Sequence, residues 1–344
     1  MAIPYRTKRF LRGLFTTVLV LVLVAVVITA VWILWLDRYV VYSRDGAKLD
    51  FTLNQQPVGE QAVAPQPEDP VNIFYNEGDN ALNTSIELTQ MAGYYIDISM
   101  LTEDPAGVLA TLRQLPDQTP VLLELKDIAG RFYYNTSLGP IKTSADLDAI
   151  AQIIQYLDRS NLYAIAKVPA FRDYYYGLEN VSEGLGNSKG YLWMDESRSY
   201  WLRPTSDAVI HYLTQIIKEL KEMGFAEVVL GDFRFPKTDK IVFKADKGEA
   251  LATAAARLME ACGSDRFALS FLVEDGDFPL PAGRSRLYMQ DVAAADVAGI
   301  AAETTVADPA VGLVFLTDVN DTRFDAYSVL RPITSAQLEE EEAE

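Results

Sequence analysis

Short apolar runs alternate with amphipathic helices between residues 71 and 336. The alternation predicts an α/β fold, and eight such runs predict a closed (β/α)8 TIM-type barrel. A separate run of 23 uncharged residues, Leu14 to Leu36, predicts a transmembrane helix ahead of that barrel. An open doubly wound sheet is the alternative that the same alternation allows. No dinucleotide fingerprint is present, because the glycines of "GLENVSEGLG" do not sit between a strand and a helix start.

In chain order, residues 1–13 form a basic tail in which Arg6, Lys8, Arg9 and Arg12 are accompanied by no acid. That positive excess assigns the N-terminus to the cytoplasm and everything after the span to the extracytoplasmic side of a cell membrane. Residues 14–36 are too long for the apolar part of a signal peptide and lack a small-residue cleavage site, which predicts a retained single-pass anchor in the lipid bilayer. Residues 37–70 hold a small hairpin, "DRYVVYSRDGAKLDFTLN", turning at Asp45-Gly46, then the Pro- and Gln-rich tether "QQPVGEQAVAPQPEDP". The barrel domain is expected over 71–336, with strands at 71–75, 93–98, 121–126, 162–168, 227–231, 267–272, 286–289 and 312–316. Two helices are clearest. One covers 206–223, capped by Thr205 or Ser206 and stopped by Gly224; the other covers 145–158, behind Thr143 and Ser144. Residues 337–344, "QLEEEEAE", read as a solvated, disordered acidic tail.

Composition removes several function classes. The formal charge is -18, and setting aside the four basic residues of the tail leaves about -22 on the remainder. Nucleic acid is therefore not an expected partner, because phosphate binding needs clustered Lys and Arg. A neutral or cationic substrate suits this field. One cysteine, Cys262, excludes a disulfide framework within the chain, and one histidine, His211, leaves no zinc set or Ser/His/Asp triad to expect. Cys262 falls on an apolar helix face, as core packing would require. His211, four residues after Asp207, suits a surface pair with it. Any catalysis must rest on Asp, Glu, Tyr, Lys or Arg.

In a barrel, strand ends and the loops after them carry the chemistry. The candidates are Asp97; Glu124, Lys126 and Asp127; Lys167, Arg172 and Asp173; Asp232 and Arg234; Glu274 and Asp275; and Asp318. Glu124 and Lys126 share strand parity and are expected to face the same side. Aromatics crowd three of the loops, "GRFYYN", "FRDYYYG" and "YLWMDESRSYW", the last containing Trp193. Such rings with polar handles suit sugars.

The stretches "LLELKDIAGRFYYN", "YAIAKVPAFRDYYYG" and "YWLRPTSDAVIHYLTQIIKELKEMGFAEVVLGDFRFP" together resemble a bacterial, membrane-anchored glycoside hydrolase barrel family similar to the α-amylase-like barrels. The likeness runs from about Gly93 to Pro236. Glu124, Lys126, Asp127 and Gly130 match its first motif, Lys167, Phe171, Arg172 and Asp173 its second, and Arg234, Phe235 and Pro236 its third. This chain diverges at the strand end, where the family places an Asp: Gly231 stands there, and Asp232 follows one position late. A shift by one residue turns a side chain to the other face of a strand, so Asp232 needs a local bulge at Gly231 to reach a pocket.

The resemblance implies a surface-anchored glycoside hydrolase acting on polysaccharide or cell-envelope glycan through two carboxylates, with no metal or cofactor. Asp232 is expected as nucleophile or base, Glu274 as general acid, and Arg234 as the cation that holds Asp232 ionised. Glu124, Lys126, Asp127, Lys167, Arg172, Asp173, Trp193, Arg234 and Asp318 are expected to bind the substrate. Gly231 supports a second expectation: an inactive barrel that binds glycan or supports envelope assembly. A purely structural ectodomain, presented to another envelope protein, is the third.

Overall fold

Each short apolar run pairs in parallel with the next, and the last pairs with the first. In the computed structural model, residues 87–333 and a hairpin of Val40–Ser43 with Gly46–Leu49 are described. The expected span at 14–36, the tether, the strand at 71–75 and the acidic tail lie outside the described residues. Among those residues no helix is long and apolar enough to cross a membrane.

The barrel strands are β1 Ala92–Ile96, β2 Pro120–Glu124, β3 Tyr163–Pro169, β4 Glu227–Gly231, β5 Ala268–Leu272, β6 Leu287–Gln290, β7 Leu313–Leu316 and β8 Ser328–Pro332. They close in sequence order, with β8 beside β1. Eight strands within the described residues therefore close the barrel. The eighth place is filled by "SVLRP", which the sequence pattern misses because an Arg and a Pro sit in a five-residue run.

Helices α1 Ile98–Glu103 and α2 Pro105–Leu112 follow β1, α3 Leu147–Arg159 follows β2, and α4 Tyr174–Glu179 and α5 Asp207–Glu222 follow β3. Helix α6 Lys247–Cys262 follows β4, and the short α7 Val297–Glu303 and α8 Pro309–Gly312 follow β6. No helix is present between β5 and β6 or between β7 and β8 among the described residues, a departure from the ideal alternation. Ser206 caps α5 through Val209 N at 3.2 Å. Helix α3 is capped by Asp146, which accepts from Ala149 N at 3.0 Å, in place of the expected Thr143 or Ser144. Asp207 pairs with Arg257 at 2.7 Å, so the expected Asp207–His211 pair gives way to a link between α5 and α6. Cys262 is buried in the helix-facing core with Leu258, as its apolar helix face requires.

The barrel interior is layered. Leu122, Ile165, Val229, Val314 and Leu330 fill its middle. Below them, at the N-terminal strand ends, the core turns polar. Glu227 accepts from Ser270 Oγ at 2.6 Å, Tyr288 OH at 2.9 Å, Tyr163 OH at 2.9 Å and Arg286 Nη1 at 2.5 Å. Arg286 also donates to the Thr89 and Val311 carbonyls. Burial and the Glu227 charge push the hydroxyls of Tyr163 and Tyr288 well above the tyrosine range, so both remain hydrogen-bond donors. A buried ion pair saturated in this way fixes register, but losing one partner strands the other charge. Arg286→Met is therefore expected to destabilise the fold by about 3–5 kcal/mol. Adding Glu227→Gln should recover part of that loss. Urea denaturation of the single and double variants tests both, and a single-variant cost below about 1 kcal/mol would remove the claim.

Candidate functional site

At the opposite, C-terminal mouth of the barrel, the interior positions carry charge. Strand register sets Glu124 of β2 directly beside Lys167 of β3, and Pro169 beside Gly231 of β4. Lys167 Nζ lies 2.5 Å from Glu124 Oε1 and 3.3 Å from Gln290 Oε1, so the three side chains form a polar floor. Above it is a cavity of about 760 Å³, lined by residues from the ends of β2 to β6 and the loops beyond them.

Asp232 lines this cavity. The expected bulge at Gly231 is not formed, since Gly231 pairs in register with Pro169 as the last residue of β4; instead Asp232 follows with φ of 47°, in the left-handed region that Asp tolerates better than most residues. That turn brings its carboxylate back to the mouth. There Oδ1 stands 3.5 Å from Arg234 Nη2 and 3.9 Å from Arg172 Nη1. The other nitrogen of Arg234, Nη1, is 3.4 Å from Glu274 Oε1, and Lys237 Nζ is 2.9 Å from Glu274 Oε2. One guanidinium thus spans the two carboxylates.

Both arginines are held from behind. Arg172 Nη2 pairs with Asp195 Oδ2 at 2.7 Å, and that oxygen also accepts from Trp201 Nε1 at 3.0 Å. The Arg234 and Arg172 guanidinium carbons lie 4.9 and 5.5 Å from the Trp201 ring centroid. Asp195 is set by its own turn, in which its Oδ1 accepts from Ser199 N at 2.9 Å. The sequence reading missed Asp195 and Trp201. The available signal was the "DESRS" turn followed by a Trp in a segment already noted for its aromatics.

Burial pushes the Asp232 carboxyl above its ordinary value; Arg172, Arg234 and Lys167 oppose the rise, and Asp195 adds to it. Arg234 acts in the expected direction, favouring the ionised carboxylate, against the larger effect of desolvation.

Other expected site residues fall elsewhere. Lys126 lines the cavity, but its side chain is buried in a pair with Asp173 at 2.6 Å, both side chains being 0% exposed. The shared parity of Glu124 and Lys126 does not hold, since β2 ends at Glu124 and the chain folds into a bridge between Lys126 and Phe132. Asp173 also accepts from Tyr212 OH at 3.0 Å and caps α4 through Tyr176 N at 2.8 Å. Gly130, at φ 88°, leaves room for it: a Cβ there would lie 2.0 Å from Asp173 Oδ1. Asp127 lines the cavity but is bound by Arg131 through its carboxylate. Asp97 serves as the α1 cap through Met100 N at 2.8 Å. Trp193 is half-buried against the core, and Asp318 is exposed at the end of β7; neither lines the cavity, which lies over the β2–β6 side. The loop aromatics mostly stack on one another, as in Tyr174–Tyr200 at 5.2 Å and Tyr176–Tyr212 at 4.1 Å. Among the described residues no aromatic ring lines the mouth cavity.

Residues 110–269 match the model of a family described as "Putative glycosyl hydrolase domain". That segment includes Glu124, Lys167, Arg172, Asp232 and Arg234 and ends before Glu274. No curated protein matches the chain. Among solved structures, the galactosidase domain of an α-galactosidase-sucrose kinase aligns over 73% of this chain and 39% of its own, at 12% identity and a TM-score of 0.54. An α-galactosidase from Lactobacillus brevis aligns over 74% and 39%, at 10% identity and a TM-score of 0.50. A hypothetical protein from Ruminiclostridium thermocellum ATCC 27405 aligns over 52% and 96%, at 19% identity and a TM-score of 0.45. The chain spans about two fifths of the length of each α-galactosidase. The two α-galactosidase likenesses establish the barrel fold.

A raised carboxyl pKa makes a stability prediction. Above its ordinary value, the unfolded chain carries the Asp232 charge at less cost than the fold does, so this group favours folding at low pH and loses that contribution as pH rises through the folded pKa. Asn keeps the left-handed backbone and carries no charge. Asp232→Asn should raise the urea midpoint at about pH 7 and give no gain at about pH 3. An equal gain at both, or a loss confined to the higher pH, would contradict the assignment.

Proposed function

We propose that the chain is a membrane-anchored glycoside hydrolase acting on polysaccharide or cell-envelope glycan, with Asp232 as proton donor and Glu274 as its carboxylate partner. The observation that carries this reading is the Asp232–Arg234–Glu274 bridge in the mouth of a parallel barrel. Glycoside hydrolysis needs one carboxyl to protonate the leaving oxygen and a second to act as nucleophile or to activate water, about 5 to 9.5 Å away. Two carboxylates spanned by one guanidinium suit that separation. The roles are exchanged from the sequence expectation because Asp232 is the acid whose pKa burial raises, as a proton donor requires. Glu124, Lys167 and Gln290 at the floor supply acceptors and a donor for sugar hydroxyls. The family match over 110–269 supports the glycan class. Anchoring through residues 14–36, with the N-terminus cytoplasmic and the barrel outside, is supported by the uncharged run and the basic residues before it.

A second reading, glycan binding without cleavage, is favoured by Gly231. A Cβ there would meet Lys167 Cε at 3.5 Å and the Val168 carbonyl at 3.6 Å, ordinary contacts, so the strand end has room for a side chain and carries none. The mouth acids Glu124, Asp232 and Glu274 are also each engaged by a cation.

Turnover of aryl glycosides and envelope polysaccharides separates the two readings. Asp232→Asn and Glu274→Gln should each lower the rate by about 10²–10⁴-fold on hydrolysis. Wild-type rates in both variants would remove the assignment. Glycans that bind and stay intact with the wild-type chain would establish the second reading.

A further inference from the structure

Beside the mouth lies a second cavity of about 650 Å³, between α6 and the loops after β4 and β5. We propose that it holds the next sugars of the same glycan, so that the ligand is an oligosaccharide chain of at least two residues crossing over Glu274. This inference rests on the glycan reading of the mouth and adds the length and path of the ligand.

Continuity is the first argument. Arg234, Lys237, Val273 and Glu274 line both cavities, so they form the partition between them. Its charged part is low and open: the Lys237 side chain is 78% exposed and that of Glu274 34%. An ion pair in that position is held weakly, and sugar hydroxyls can replace or bridge it.

The second argument is that, of the two linings, the second adds aromatic rings to a mixed polar and apolar surface. The mouth presents Glu124, Lys167, Arg172, Asp232 and Gln290 among apolar residues such as Met289 and Ile300, and among the described residues no aromatic ring lines it. The neighbouring cavity adds Phe235 and Phe278 with Pro236 and Pro279 to charged residues such as Glu249, Asp275 and Asp277, and Lys247 Nζ stands 5.6 Å from the Phe235 ring centroid. A sugar has a hydroxyl edge and an apolar face, so one residue fits the polar mouth and the next lays its face on the aromatic and proline wall. That wall is braced, because Phe235 packs on Phe243 at 4.7 Å and Phe278 on Phe233 at 5.9 Å. Little ordering is then required when a ligand arrives. Glu274 touches both cavities and therefore lies under the linkage joining the two sugars.

The test is calorimetric titration of the full-length chain with graded series: N-acetylglucosamine to its hexamer, galactose to stachyose, and envelope polysaccharide fragments of rising length. Affinity should rise at least about tenfold from one residue to two or three in the series that binds. Ala252→Trp, which fills the second cavity from α6, should cancel that gain and leave single-sugar binding unchanged. Gly248→Trp is the companion variant. The position is exposed, and its Cβ would have a single close neighbour, Asp246 Oδ1 at 3.3 Å. Binding that is flat along every series, or a length gain that survives both variants, overturns the inference and leaves the glycan reading standing. Binding of no glycan at all overturns the reading of the mouth and the inference with it.

Discussion

The mouth of this barrel stands on one buried carboxylate. Asp173 takes Lys126 from the end of β2, Tyr212 from α5 and the first turn of α4 onto its two oxygens, with no exposure of its own. The loop after β2 and the helices α4 and α5 are fixed to each other at that point. Removing one partner would leave an uncompensated charge in the core, so the arrangement tolerates little variation. Arg172 precedes Asp173 in the chain. With Asp173 fixed toward the helices, Arg172 reaches Asp195 and Asp232 on the mouth side. The shape of the functional surface is thus set by a residue that never meets a ligand.

Charge is distributed unevenly between the surface and the mouth. The chain is strongly acidic overall, yet Lys167, Arg172, Arg234 and Lys237 all gather around the cavity. Each is matched by a carboxylate, so the mouth is a lattice of alternating signs rather than a basic patch. Exposed members such as the Lys237–Glu274 pair contribute little to stability. Their value lies in orientation: Arg234, resting on Trp201, holds two acids that would repel each other if left adjacent. Asp232, the more enclosed of these acids, is the one whose carboxyl burial pushes above its ordinary value.

Much of the barrel is legible in the residues alone, since buried parallel strands read as unbroken apolar runs. The eighth strand is not, because Arg331 and Pro332 interrupt its pattern. At the site, Glu124, Asp127, Lys167, Arg172, Asp232, Arg234 and Glu274, named from the strand ends, all line the mouth cavity. Their directions are not legible in the same way. Strand parity predicts a side only while the strand continues, and it fails at Lys126, where β2 has already ended. It fails in the opposite sense at Asp232, where a positive φ returns the carboxylate to the mouth. The loop aromatics mislead for a different reason: composition cannot distinguish a ring that faces a ligand from one that stacks on a neighbour. Trp201 and Asp195 join the site through contacts with Arg172 on another loop, a long-range pairing that no local pattern carries.

The most direct measurement is a crystal structure of the chain with a bound oligosaccharide. The expected result is a sugar seated over the Glu124–Lys167 floor, its linkage oxygen within about 2.6–3.2 Å of the Asp232 carboxyl and Glu274 facing it across the bond. A sugar bound away from this mouth, or an Asp232 side chain turned into the barrel wall with the ligand in place, would contradict the central role given to the Asp232–Arg234–Glu274 bridge.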